Sequence, residues 1–228
     1  MKNPWVIIGI VTIVLFGGAF LISSNSAKQA NEGVVVQDQV KGNKEASVEL
    51  VKYSDLQCPS CAQAAMVVDD ILERHGDSIK FEYRHFPFLS NASAQAALAA
   101  EAAGQQGKFY EMHDMIFQNQ AEWSGGAAAN TFFAKYAEEI GLDMDQYRRH
   151  LGSSVLRDRI QSQFNGGREI GVTGTPTFFL NGERLVYETY EQFEAQIVAA
   201  ISGDAVNDEV EAEGGVAPGL ETDIKFGI

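Results

Sequence analysis

Cysteine and basic residues are both scarce in this sequence. Two cysteines among 228 residues exclude a disulfide-dense scaffold, a four-thiolate zinc site and an iron–sulfur cluster held by a single chain. Lysine and arginine number 17 against 31 acidic residues, which gives a formal charge of −14. The negative electrostatic field of such a chain argues against binding to nucleic acid or to an anionic membrane surface. The hydrophobic fraction of 45% is that of an ordinary packed protein, and no internal repeat is visible.

The sequence does have one long uncharged run, at its N-terminus. Residues Trp5 to Ile22 carry no charge, and Lys2 precedes them. The run meets the lower end of the length of a membrane-spanning helix and exceeds the usual core of a signal peptide. We therefore expect residues 1–22 to be an uncleaved anchor, with a cleaved signal peptide as the alternative. With Lys2 in the cytoplasm, either interpretation places the soluble part in an extracytoplasmic, disulfide-permissive space.

Composition divides the rest of the chain into three parts. Residues 23–32 are small and polar, which is typical of a linker. Residues 33–203 have the patterning of a globular domain. Residues 204–228 combine acidic residues with glycine and are predicted to be a flexible tail.

The globular part alternates between strand and helix signals. Period-two alternation predicts strands at 47–53 and 79–83, and an apolar strand at 177–180 is followed by the hairpin signal Asn181-Gly182 and residues 184–186. Helical spacing marks 61–75, where Gly76 supplies a stop, and 190–201. Between them, a helical block runs from 91 to about 168, with breaks expected at its glycines, including Gly166 and Gly167. The predicted class is α/β, with an inserted multi-helix block.

Both cysteines fall in one short motif. Cys58 and Cys61 follow a predicted strand and open a predicted helix, with Pro59 in the first turn. Their separation lies within the reach of one disulfide. The helix N-terminus favours a thiolate at Cys58, whereas Cys61, one turn inward, should be less exposed. Two chemically unequal sulfurs are what thiol–disulfide exchange requires.

Two other interpretations of the pair stay open. A purely structural disulfide would stabilise poorly, because it closes so short a loop. Half of a zinc site shared by two chains is possible in principle, but no second CxxC exists and no histidine lies at zinc-finger spacing. Redox exchange is favoured over both.

A second motif lies much later in the chain. Thr175-Pro176 stands directly before the apolar strand 177–180, which fits a rigid bend that feeds a strand. Alone, it is compatible with an ordinary proline at a strand entry.

Together the two motifs resemble the DsbA-like disulfide oxidoreductases of bacteria, within the thioredoxin superfamily. The resemblance covers residues 33 to about 203 and includes the segment Tyr83–Phe88. It implies a thioredoxin fold, a central mixed sheet flanked by helices, that carries the helical insertion. It also implies that Cys58 is the exposed nucleophile and Cys61 the resolving thiol.

The resemblance further implies which residues shape the site. Pro59 and Ser60 lie between the cysteines, and a cis peptide bond at Thr175-Pro176 would lie beside them, where an extended substrate segment can pair with the loop. No bound cofactor and no metal are needed, because the Cys58–Cys61 disulfide carries the electrons itself. The implied partners are reduced extracytoplasmic proteins and a quinone-linked membrane oxidase.

The sequence departs from the strongly oxidising members of this family at two positions. Those members have Pro-His between the cysteines, whereas Ser60 offers no cationic imidazole to stabilise a Cys58 thiolate. Six residues before Cys58, where relatives place a buried acid, stands Lys52. It could transfer a proton at the sulfurs, or it could be a surface lysine whose stem covers the sheet. His85 is expected to be a hydrogen-bonded packing residue.

We therefore expect a membrane-anchored, extracytoplasmic thiol–disulfide oxidoreductase that forms disulfides in secreted or envelope proteins. A reductase or isomerase would share the same residues, although no dimerisation domain is evident. A non-catalytic chaperone-like module and a zinc-bridged assembly also stay open as functions of this fold.

Overall fold

A computed structural model of the chain describes residue 12, residues 26–125 and residues 128–203. The predicted anchor, apart from Thr12, and the predicted acidic tail lie outside these residues. Within the described ranges, no helix is long and apolar enough to cross a membrane.

A five-stranded mixed sheet forms the centre of the fold. Its order is β1-β3-β2-β4-β5, and only β2 and β3 pair in parallel. The strands are β1 (Gln39–Gly42), β2 (Val48–Ser54), β3 (Ile79–His85), β4 (Thr177–Leu180) and β5 (Glu183–Arg184). Both central strands are buried almost throughout, as expected for a parallel pair covered by helices on its two faces.

Eight helices beyond residue 58 pack around this sheet in the described ranges. They are α1 (Pro59–His75), α2 (Asn91–Gly104), α3 (Phe109–Gln118), α4 (Gln120–Trp123), α5 (Ala129–Glu139), α6 (Met144–Leu151), α7 (Ser154–Glu169) and α8 (Tyr190–Ser202). The parallel β2–α1–β3 unit, then β4 and β5 as a hairpin, then α8, give the thioredoxin-like α/β arrangement. Helices α2 to α7 are the inserted block.

Helix α2 is the centre of the insertion. Ser90 caps its N-terminus by accepting a hydrogen bond from the backbone N–H of Ala92 at 3.1 Å. From Ala96 to Gly104 every residue of the helix is buried. A helix that is apolar nearly all round is stable only when other elements surround it. The small side chains of its alanines allow those elements to pack closely against it.

The structure differs from the sequence expectations in three places. It adds strand β1, and α7 continues through Gly166 and Gly167 without a break. Helix α1 ends at His75, where the stop at Gly76 was expected, and Gly76 leads into a 3-10 turn. Residues 26–31, expected to belong to an unfolded linker, are helical, and the Asn31 side chain accepts a hydrogen bond from the backbone N–H of Ser154 at 3.0 Å.

Candidate active site

The two cysteines lie where β2 passes into α1. Cys58 is the N-cap residue of α1, with extended backbone angles, and Pro59 occupies the first turn. The Cys58 carbonyl oxygen accepts the first hydrogen bonds of the helix, from the N–H groups of Cys61 at 3.0 Å and Ala62 at 3.2 Å. Cys58 is 8% exposed and Cys61 is fully buried, and both are free thiols in this structure. The order of exposure is the one that the spacing predicts.

The surroundings drive the pKa values of the two thiols apart. A hydrogen bond from the Cys61 thiol, supported by the N–H groups at the start of α1, lowers the pKa of Cys58 to about 5. Burial raises the pKa of Cys61 far above its usual value, and the hydrogen bond to Cys58 adds to the effect. The pair therefore favours one thiolate, at Cys58, with its proton-carrying partner beneath it.

Thr175 contacts the sulfur of Cys58. The Cys58 sulfur lies 3.4 Å from the Thr175 carbonyl oxygen, to which it donates while Cys58 is protonated, although 117 residues separate the two in sequence. The peptide bond between Thr175 and Pro176 is cis, as the family resemblance implied. The loop before β4 and the start of α1 thus form one site.

Lys52 lies directly beneath the cysteines. It is 1% exposed, and its Nζ donates to the Cys61 carbonyl oxygen at 3.0 Å and lies 5.3 Å from the centre of the Phe117 ring. Burial lowers the pKa of Lys52 to about 8, even though Cys61, Asp69 and Cys58 all favour its charged form. The surface-lysine interpretation of this residue is therefore wrong.

Asp55 organises the loop that carries Cys58. Its carboxylate is fully buried. It accepts hydrogen bonds from the backbone N–H groups of Gln57 at 2.8 Å, Phe88 at 3.0 Å and Leu89 at 3.1 Å. Burial raises the pKa of Asp55, against the pull of these hydrogen bonds. Its role was not predicted from the sequence, although an aspartate that directly follows a strand is typical of such a turn.

His85 lies at the end of β3, away from the sulfur contacts just described. It is 1% exposed and packs edge-on against Tyr83, and its Nε2 lies 3.3 Å from Glu101, which also contacts Arg159. This is the environment of a packing residue. No cluster of three or more histidine, cysteine, aspartate or glutamate side chains that could hold a metal ion occurs among the residues that the structure describes.

Comparison with known proteins agrees with this geometry. A family model described as Thioredoxin matches residues 35–199. The chain belongs to this thioredoxin family. A solved structure similar to this thioredoxin-family chain is a thioredoxin-like oxidoreductase from Silicibacter pomeroyi, with 26% identity, a TM-score of 0.64, and coverage of 79% of this chain and 98% of that one.

Two further relatives define how far the similarity extends. Wolbachia pipientis alpha-DsbA1 has 20% identity and a TM-score of 0.66, with 74% of this chain and 93% of that chain covered, so it shares the fold. The Na(+)/H(+) antiporter NhaA 1 of Salinispora arenicola is 39% identical over 171 residues, which are 73% of this chain but 25% of that protein. The thioredoxin-family chain thus spans about a quarter of the length of this curated relative.

Proposed function

We propose that this thioredoxin-family protein is an extracytoplasmic thiol–disulfide oxidoreductase that forms disulfides in reduced secreted or envelope proteins. The observation that carries the proposal is the inequality of the two thiols. Cys58 keeps 8% exposure and has a lowered pKa, whereas Cys61 has no exposure and a raised pKa. A structural disulfide needs no such difference, whereas exchange needs one sulfur that meets the substrate and another that resolves.

The reaction begins from the Cys58–Cys61 disulfide. A substrate thiolate attacks the Cys58 sulfur, and Cys61 leaves with the electron pair of the broken bond. A second substrate thiolate then attacks the substrate sulfur of the mixed disulfide, and Cys58 leaves as a thiolate. The substrate has lost two electrons to the cysteine pair and gained a disulfide.

Lys52 and Thr175 act at different steps of this sequence. The Lys52 ammonium lies below Cys61, where its charge stabilises the departing Cys61 thiolate or supplies that thiolate with a proton. The Thr175 carbonyl contacts Cys58, at the place where an extended substrate segment would pair with the loop. Pro59 and Ser60 shape the first turn of α1 between the two sulfurs.

The lowered pKa of Cys58 favours the oxidising direction. A stable Cys58 thiolate is a good leaving group and stabilises the reduced protein, which makes the disulfide a stronger oxidant. The Cys61 thiol and the N–H groups at the start of α1 stabilise this thiolate. Reoxidation then falls to a quinone-linked membrane oxidase, and an N-terminal anchor would raise the local concentration of both proteins at one membrane.

The test uses the full chain and its Cys58→Ala and Cys61→Ala variants with a reduced, unfolded client protein. We expect the disulfide form of the parent to oxidise the client and Cys58→Ala to be inactive. Cys61→Ala, with Cys58 first converted to a mixed disulfide by oxidised glutathione, should form a Cys58–client mixed disulfide with release of glutathione, and this should accumulate because no Cys61 thiol is present to reverse the step. Activity retained by Cys58→Ala would contradict exchange and favour a chaperone-like module. The equilibrium with glutathione then shows whether the protein oxidises or reduces its clients. A reduction potential near the ~−270 mV of thioredoxin would identify a reductase instead.

A further inference from the structure

Two glutamines fasten the loop that carries Cys58 to the helical insertion. Gln120, the first residue of α4, reaches inward, and its Nε2 donates to the carbonyl oxygens of Leu56 at 2.7 Å and Cys58 at 3.1 Å. Each of these partners lies more than 60 residues away in sequence. The insertion therefore supplies a side chain that holds the main chain of the nucleophile itself.

Gln57 reaches outward from the same loop. Its Nε2 donates to the Ser124 carbonyl oxygen at 2.6 Å, and its Oε1 accepts from the hydroxyl groups of Ser90 at 2.5 Å and Ser93 at 2.9 Å. Gln57 thus connects the loop to the α4–α5 connection and to the first turn of α2. The two carboxamides therefore connect the loop to both ends of α4, and Gln57 connects it to α2 as well.

Holding the Cys58 main chain matters because of where Cys58 lies in the helix. As the N-cap residue it receives no side-chain capping bond, so its extended conformation depends on backbone contacts. That conformation directs the sulfur toward the N–H groups of Ser60 and Cys61 and toward Thr175. A small rotation at Cys58 would take the sulfur away from these two N–H donors.

We propose that Gln120 is a positioning residue of the active site, which fixes the Cys58 backbone so that its sulfur stays at the N-terminus of α1. The inference rests on the proposed function only in treating Cys58 as the exchanging thiol. Gln120 makes no contact with the sulfur and acts through the carbonyl oxygens of Leu56 and Cys58. Without it, the thiolate loses part of its stabilisation and the disulfide becomes a weaker oxidant.

Gln120→Met in the full chain tests this proposal, because methionine keeps the length of the side chain and removes both donors. Gln106→Met is the matched control. Gln106 is also half-buried in the insertion, and its carboxamide makes two hydrogen bonds to the backbone of Asp143, at 2.8 and 3.1 Å. Both variants lose two backbone contacts, but only one of them loses contacts to the cysteine loop.

We expect Gln120→Met to raise the Cys58 pKa, measured by the ultraviolet absorbance of the thiolate. Its equilibrium with glutathione should shift about three- to tenfold toward the oxidised protein, which is ~15–30 mV for a two-electron couple. Gln106→Met should leave both quantities at the parent values. Equal values in all three proteins would overturn the proposal, even if Gln120→Met is less stable.

A second variant keeps the test usable if Gln120→Met does not fold. Gln120→Glu preserves the shape and, when ionised, places a carboxylate oxygen against two carbonyl oxygens, so the Cys58 pKa should again rise. An unchanged Cys58 pKa in this variant would also overturn the proposal. The Cys58 pKa is measured without any client. If the parent were inactive, the proposed function would be rejected, but the Cys58 pKa of the variants would still decide whether Gln120 positions Cys58.

Discussion

The Nζ of Lys52 donates a 3.0 Å hydrogen bond to the carbonyl oxygen of Cys61, at a position with 1% exposure. A buried ammonium group is costly unless it is paired, and the Lys52 ammonium contacts a backbone carbonyl and an aromatic ring. Such a residue weakens the fold while placing positive charge beside Cys61. Destabilising charges of this kind are typical of functional sites.

We expect Lys52→Met to stabilise the reduced protein. Burial lowers the pKa of Lys52 to about 8, so below pH 8 the folded state carries a charge that costs about 3 kcal/mol relative to the unfolded state. Allowing for the lost hydrogen bond, the gain in unfolding free energy should be ~1–3 kcal/mol at pH 7. Urea unfolding measures it, and Lys80→Met, which removes a half-exposed lysine paired with Glu49, should show no such gain.

The pH dependence of this gain has a defined sign. Between pH 8 and the ordinary lysine pKa of ~10.4, the unfolded parent binds more protons than the folded parent, so the stability of the parent rises with pH. The advantage of Lys52→Met should therefore disappear across this range. The same variant should form mixed disulfides about tenfold more slowly, because the departing Cys61 thiolate loses the charge that stabilises it. A variant that is less stable and equally fast would contradict both expectations.

Reduction of the Cys58–Cys61 disulfide should take up one proton for each pair of electrons, and the pH dependence of the reduction potential measures this number. With the pKa of Cys58 lowered to about 5 and that of Cys61 raised, reduction between pH 6 and 8 yields one thiolate and one thiol. The potential should then fall by about 30 mV per pH unit, whereas uptake of two protons would give about 60 mV. Glutathione equilibria at several pH values measure the slope, with thioredoxin, whose nucleophile has a pKa of ~7, as control below pH 7. A slope of about 60 mV would show that Cys58 is protonated.

Local signals predicted much of this fold correctly. The Asn181-Gly182 signal gives a tight turn in which both residues have positive φ, 51° and 88°, because this conformation depends on those two residues alone. Likewise, Pro59 and the Cys58–Cys61 spacing place the helix start and the order of thiol exposure without reference to the rest of the chain.

Features that depend on distant partners could not be predicted in this way. Strand β1 has four residues, and its pairing with β3 supplies the stability that so short a segment lacks. The residues next to Lys52 in the sequence do not indicate that its side chain is buried. One of the groups that cover it, Phe117, belongs to the insertion and is distant in the sequence. Gln120 was missed for the same reason, since its role depends on a contact across 62 residues.

Replacing either of two adjacent glycines in α7 with alanine should change the free energy of unfolding, but in opposite directions. A Cβ at Gly167 would lie 2.8 Å from the Tyr53 ring and 3.0 Å from Phe86, whereas a Cβ at Gly166 would meet nothing within 4 Å. Gly167→Ala must push α7 away from the sheet and should cost ~1–3 kcal/mol. Gly166→Ala adds only helix propensity and should stabilise by up to ~1 kcal/mol.

Denaturant unfolding of both variants under the same conditions measures these changes, and Gly166→Ala serves as the control for helix propensity. Equal effects would mean that α7 does not press on Tyr53 and Phe86 at this point. Because the two substitutions are chemically identical and one residue apart, a difference in sign can come only from the face that each glycine presents. Gly167 is buried on the side of the sheet, and a glycine there is required by the close approach of the helix rather than by a break in it.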